Sequence, residues 1–229
     1  MYKKVDFSVV KFSGEDPRYH ATNLNTHGPD VKEWRSEKFC FYPQKLIIQL
    51  GRKWCIKRIQ ILAHQFIIPE KVEIYVGDNP DDRDTTVENA HFSKIGFISL
   101  NSNEKSQFKS RELKSINLEA TGRYVQILLH QNHMNKHNRF NQVALVAINV
   151  IGFDPDSTSS GVSYPDIRDD LNLVSMYDEL AFNIYTDREV IKIMKRLEVK
   201  KTEAVQHERY EFAKKLKHAL KRSEERRVG

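Results

Sequence analysis

Three imidazoles within eight residues, His130, His133 and His137, form the one local constellation in this 229-residue chain that invites a chemical reading. Neutral imidazole nitrogens ligate zinc, and three of them alone would leave an open coordination position. The stretch holds no cysteine and no carboxylate, however, and Met134, Asn135, Lys136 and Asn138 read as a polar loop. Imidazole and amide groups in such loops usually satisfy nearby backbone groups. A structural loop is therefore the leading account and partner contact the second, and no metal ligand set is assigned. His64-Gln65 closes an apolar run just as His130-Gln131 closes another, so the two pairs are expected near one rim. With Arg35, His133, Lys136 and Arg139 they make the candidate partner-binding set. There is no Gly-x-Ser-x-Gly elbow, no phosphate-cradling glycine loop and no His-Glu-x-x-His pair, and the acids are scattered through turns. No catalytic residue and no cofactor are expected.

The elements that would carry these residues come from periodicity. Val72, Ile74 and Val76 alternate with polar positions, as do Val125, Ile127 and Leu129. Residues 46–50, 56–62 and 143–151 are further runs rich in β-branched side chains, and turn residues including Gly51, Gly77-Asp-Asn-Pro80 and Thr121-Gly122 punctuate them. About eight short strands without a helical pattern predict a mainly β fold, an antiparallel sandwich of jelly-roll type over residues 1–153. The two-sided run 143–151 fits a central strand covered on both faces. Cys40 and Cys55 both sit in patterns that read as sandwich core, so buried reduced thiols are expected, and Trp34 and Trp54 are placed in or beside that core.

Beyond residue 153 the composition changes. Residues 154–170 are an acidic, Ser-rich linker, and residues 171–221 carry a helical apolar stripe that includes Leu180, Met194, Leu197 and Leu220. Thr186-Asp187 reads as a helix N-cap. The stripe weakens between Val199 and Arg209, which suggests a turn and an antiparallel hairpin, with one long helix or a dimeric coiled coil as alternatives. The last eight residues, 222–229, continue no pattern and match what a sequencing adapter encodes, so a non-native tail and a natural continuation past Lys221 are expected.

The formal net charge of +6 hides three electrostatic bodies. Residues 1–153 carry 22 basic and 16 acidic side chains, 154–186 carry 1 and 7, and 187–229 carry 14 and 8. Lys195, Arg196, Lys200, Lys201, Lys214, Lys215 and Lys217 make a basic helical face. It is either a solvated surface interleaved with glutamates or a contact for an acidic partner. Without interleaved aromatics or a reader motif, nucleic acid is not an expected partner. No apolar h-region follows Met1 and no run approaches a membrane span, so a soluble, cytosolic protein is expected.

Several strings resemble a discoidin-like (galactose-binding-like) β-sandwich: Trp34-Arg-Ser36, Lys57-Arg-Ile-Gln-Ile-Leu-Ala-His-Gln65, Lys71-Val-Glu-Ile-Tyr-Val76 and Gly122-Arg-Tyr-Val-Gln126. Leu62-Ala-His-Gln65, Asn103-Glu-Lys105, Arg111-Glu-Leu-Lys-Ser115, His130-Gln-Asn-His133 and Asn141-Gln-Val-Ala-Leu-Val-Ala-Ile-Asn149 resemble more closely the N-terminal region of the centrosomal protein of 104 kDa family. Glu203-Ala204, Tyr210-Glu211 and Ala213-Lys-Lys-Leu216 are similar to that family's short UVR-type hairpin. The resemblance implies a non-catalytic protein of centrosome, centriole, basal body and ciliary tip. It would act at microtubule plus ends with centriolar and ciliary partners, in cytoplasm and cytoskeleton. A lectin-like module binding glycan or lipid through the rim around Arg35, His64 and Gln131 is the rival reading.

Overall fold

Period-two alternation puts every second side chain on one face, and eight strands use that rule to fill one core. A computed structural model describes residues 2–28, 30–81, 83–155, 179–180, 188–206, 214–217 and 219–220. The strands are β1 (Lys3–Val5), β2 (Phe7–Phe12), β3 (Trp34–Arg35), β4 (Gln44–Ala63), β5 (Lys71–Asp78), β6 (His91–Ser99), β7 (Leu113–Leu129) and β8 (Ala144–Phe153). All pairings are antiparallel, in the order β1-β8-β4-β7-β5-β6, with β2 also on β4 and β3 on β8.

The strand number matches the expectation, but β4 with 20 residues and β7 with 17 are not short. Each serves both layers of the sandwich. The β4–β7 register breaks between Gln49 and Trp54. Before the break, residues 44–49 lie between β2 and residues 124–129 of β7. After it, residues 54–62 lie between β8 and residues 113–122. A sheet that turns this corner folds onto itself as two packed layers. Gly51 and Gly122, which read as strand-ending turns, mark the corner instead. At Gly122 the need is close contact, since a Cβ there would lie 2.6 Å from the Gly77 carbonyl oxygen.

Leu46, Ile48, Val72, Ile74, Val125 and Ile127 from one layer meet Ile59, Ile61, Leu145, Ile148 and Val150 from the other. Trp34 and Trp54 are both buried, and Trp34 Nε1 donates to the Gly14 carbonyl at 3.3 Å. Both cysteines are free thiols, and Cys55 is buried as expected. Cys40 is not a core residue. It sits half-buried in the loop before β4, where its thiol lies 3.3 Å from Ser36 Oγ. The apolar Phe39–Tyr42 run around it belongs to that loop, so sequence hydrophobicity misplaced it. β8 is covered on both faces: core on the inside, and Leu180 packing over Leu62 and Ala147 on the outside.

The helix α1 spans Arg188–Gln206. Met194, Leu197 and Leu220 share one apolar cluster. In a single straight helix Met194 and Leu220 would stand about 39 Å apart, so the two helical stretches lie side by side. α1 continues through Val199 to Gln206, past the point where the stripe weakens. The N-cap at Thr186-Asp187, residues 156–170 of the linker and the 222–229 tail lie outside the described residues. Among the described residues no helix is long and apolar enough to cross a membrane.

Candidate interaction surface

β4 ends at Ala63 and the chain turns at once, so His64 becomes a backbone acceptor. Its Nδ1 takes the N–H groups of Phe66 at 3.1 Å and Ile67 at 3.2 Å. Its Nε2 lies 3.7 Å from Glu33 Oε1, and Arg35 Nε donates to the same oxygen at 2.8 Å. The Arg35 guanidinium stacks 3.9 Å from the Tyr19 ring centroid. Burial pushes the His64 pKa down to about 4, with Glu33 opposing and Arg35 and Arg111 assisting. A neutral imidazole that holds a turn is a structural lock, and the Arg35 fork is committed to Glu33 and Tyr19. Gln65, half-buried, lends its carbonyl to Asn103 Nδ2 at 3.2 Å.

The second pair lies at the same end of the sandwich but in a different charge cluster. His130 N donates to the Lys71 carbonyl at 2.9 Å and Glu70 N to the Gln131 carbonyl at 2.8 Å, laying the 64–70 crossover against this loop. The His130 ring faces Glu73, not Glu33. Glu73 receives Lys71 Nζ at 2.5 Å, Lys94 Nζ at 3.0 Å and the Tyr75 hydroxyl at 2.8 Å. Hydrogen bonds from Lys71, then Lys94 and Tyr75, hold its carboxyl down to about 2. His130 Nε2 is 3.4 Å from Glu73 Oε1 without hydrogen-bond alignment. His133 Nε2 donates to the Leu100 carbonyl at 2.7 Å. His137 packs against Phe66 and Phe108. The three imidazoles thus face three different neighbours, and among the described residues no His/Cys/Asp/Glu group is placed to hold a metal ion. Gln131, Lys136 and Arg139 are exposed. Sequence reasoning missed Glu33 and Glu73: Glu73 sits in a strand alternation that announces a face but no partner, and Glu33 sits in irregular chain just before β3.

Apart from the exposed Gln131, the amides between these loops are turned inward. Asn138 Nδ2 donates to the Gln142 carbonyl at 2.8 Å and Gln142 Nε2 to the Ser36 carbonyl at 2.7 Å. Asn135 Nδ2 donates to the Phe66 carbonyl at 2.8 Å, and the Tyr42 hydroxyl bonds both Asn132 Oδ1 at 2.9 Å and the Asn141 carbonyl at 2.6 Å. Beside the exposed Gln131, Lys136 and Arg139, large apolar side chains face outward. Phe41 is 93% exposed, Met134 80%, Phe39 67% and Phe140 42%. Nothing in the sequence pattern announced this, since apolar side chains read as core until neighbours are known.

A further polar device sits on the outer face of β4. Gln60 is buried, its Oε1 accepting from Asn149 Nδ2 at 3.0 Å and from Leu180 N at 2.9 Å. Its Nε2 donates to Ser115 Oγ at 3.1 Å and to the Glu179 carboxylate, which also binds Arg58 at 2.6 Å. On the helical segment Arg196, Lys200, Lys214, Lys215 and Lys217 are exposed. Lys195 and Lys201 are half-buried, with Lys201 on Glu198.

Residues 33–152 match the family model described as "Centrosomal protein CEP104, N-terminal domain". The chain is 38% identical over 240 aligned positions, 96% of its length, to the human "Centrosomal protein of 104 kDa". It spans 26% of that protein. Among solved structures, a family 32 CBM of Clostridium perfringens NanJ in complex with galactose superposes with a TM-score of 0.51 at 12% identity. That match covers 66% of this chain and 99% of the other. CBM32-3 from a family 31 glycoside hydrolase of the same organism gives 0.52 at 12%, covering 66% and 95%. These likenesses establish a galactose-binding-like, discoidin-like jelly roll and say nothing of its ligand.

Proposed function

The chain belongs to the centrosomal protein of 104 kDa family, and on that premise we propose that it is a non-catalytic protein-interaction module of a centriolar and ciliary-tip protein. The observation that carries this reading is the 38% identity extending over 96% of the chain, sandwich and helical segment together. The geometry supports contact over chemistry. The His64 and His133 rings bond backbone groups, and Glu33 and Glu73 beside the rim imidazoles are held by Arg35 and by Lys71 and Lys94. The module works at centrosome, centriole, basal body or ciliary tip, where the full-length protein acts at microtubule plus ends and supports cilium assembly. The sandwich end around Gln131, Lys136 and Arg139 docks a partner protein, and the basic face including Lys200, Lys214 and Lys217 meets an acidic partner or a second copy.

Proximity labelling with the tagged chain in ciliated cells tests this. Enrichment of centriolar and ciliary-tip proteins over a diffuse control is expected, and labelling equal to that control refutes it. The lectin reading finds less support, because Asn135, Asn138 and Gln142 at this rim are bonded internally and the galactose-bound structure shares the fold at only 12% identity.

A further inference from the structure

The two loops at the rim, 36–43 and 132–142, display large apolar side chains where a free-standing domain would place polar ones. Phe41 at 93% and Met134 at 80% exposure project almost completely, and Phe39 follows at 67%. Scattered single apolar residues on a surface are ordinary, whereas several at one end of a sandwich mark a contact site.

The display is rigid. Phe39 holds a left-handed backbone with φ of 55°, and so does Asn141 with φ of 52°. A left-handed conformation is unfavourable for an aromatic residue, and it persists where surrounding bonds over-determine it. Here Phe39 N donates to the Phe140 carbonyl at 2.7 Å, and the two rings meet edge-on with centroids 5.8 Å apart. Gln44 Nε2 holds the Phe41 carbonyl at 2.6 Å, fixing the backbone beneath that ring. A surface ordered before binding loses less conformational freedom on contact.

The charge is one-sided. The two loops carry Lys38, Lys136 and Arg139 against Glu37 as their sole carboxylate. The Lys38 ammonium lies 4.3 Å from the Phe140 ring centroid, so cation and ring form one composite surface. The amides between these groups are bonded inward, which leaves few polar groups to read a sugar.

We propose that this tip, resting on the interaction reading above, is the docking surface for an acidic protein segment. That segment would place apolar anchors on Phe39, Phe41 and Met134 and carboxylates on Lys38, Lys136 and Arg139. A protein partner fits better than a bilayer. Only Phe41 and Met134 project freely enough to enter lipid, and Lys38 is drawn back onto a ring instead of standing out toward headgroups.

The full 229-residue chain serves as bait for a library of short random peptides displayed on phage, and selected sequences are remade with a fluorescent label for titration. Enrichment of Asp and Glu around Leu, Ile or Phe is expected. The double substitution Phe41→Ser with Met134→Ser should weaken binding about tenfold or more. Lys136→Glu with Arg139→Glu should do the same and should reduce the weakening of binding by salt, leaving the share that Lys38 carries. All four positions are exposed, so unchanged thermal melting of both variants is expected and confirms their fold. Selected peptides whose binding survives both pairs of substitutions would overturn this surface while leaving a protein-interaction module in place. Sedimentation with equal-part phosphatidylserine–phosphatidylcholine vesicles in place of peptide binding would overturn both the surface's partner and the interaction reading. A concentration-dependent dimer lost in the Phe41→Ser, Met134→Ser variant would replace the acidic segment by a second copy of the chain.

Discussion

Leu180 lies fully buried on Leu62 and Ala147 outside β8, and its own amide donates to Gln60 Oε1 at 2.9 Å. Leu180→Ala removes the three terminal carbons of that contact. At about 0.8 kcal/mol per buried methylene, the loss is about 2 kcal/mol before any cavity is counted. Each 1.4 kcal/mol is a factor of ten, so the docked population relative to the undocked one falls about thirty-fold. The amide at position 180 survives the substitution and reports directly on docking. Its hydrogen exchange, followed by mass spectrometry or NMR, should therefore accelerate about thirty-fold, while amides of β5 and β6 keep their protection. Unchanged exchange at position 180 would refute this docking of Leu180 on β8. A parallel loss of protection in β5 and β6 would refute it too, because it would mean that Leu180 supports the whole sandwich instead of one docked segment.

His64 makes stability pH-dependent. Its pKa in the folded chain is about 4 against an ordinary 6.5, so between these values the unfolded state binds a proton that the folded state refuses. The contribution is complete above pH 6.5 and is lost as pH falls toward 4, so the urea midpoint should drop across that window. It should drop less in His64→Asn, and equal slopes in the two proteins would contradict the assignment. Gly122→Ala drives a Cβ to 2.6 Å from the Gly77 carbonyl oxygen, and a cost of about 2–4 kcal/mol should show as a lower melting temperature. A melt within error of the wild type would show that the corner relaxes freely. Met194→Asp places a charge where the residue is 1% exposed against Leu220. Helical circular dichroism should fall while the sandwich melts unchanged, and undiminished helicity would argue against the paired arrangement.

Much of the fold was legible because strand periodicity is a local property. The runs at 72–76 and 125–129 lie in β5 and β7, and the two-sided run 143–151 became the centrally placed β8. Trp34 and Trp54 are buried, in keeping with their expected place in or beside the core. Two local signals misled. The turn residues Gly51 and Gly122 mark a corner within continuous strands, since a glycine ends a strand or lets two layers meet with equal ease. Cys40 lies beside Phe39 and Phe41, whose hydrophobicity suggested burial, while the rings stand in solvent.

The sequence by itself determined which residues alternate, where charge accumulates and to which family the chain is related, because each is written in neighbouring positions. Only the tertiary structure decided what the candidate residues do. It gave His64 to Glu33, His130 to Glu73 and Leu180 to Gln60, pairs separated by 31, 57 and 120 positions. An imidazole or a carboxylate takes its role from the charge and burial around it. Those are fixed when distant strands come into register, which no local pattern encodes.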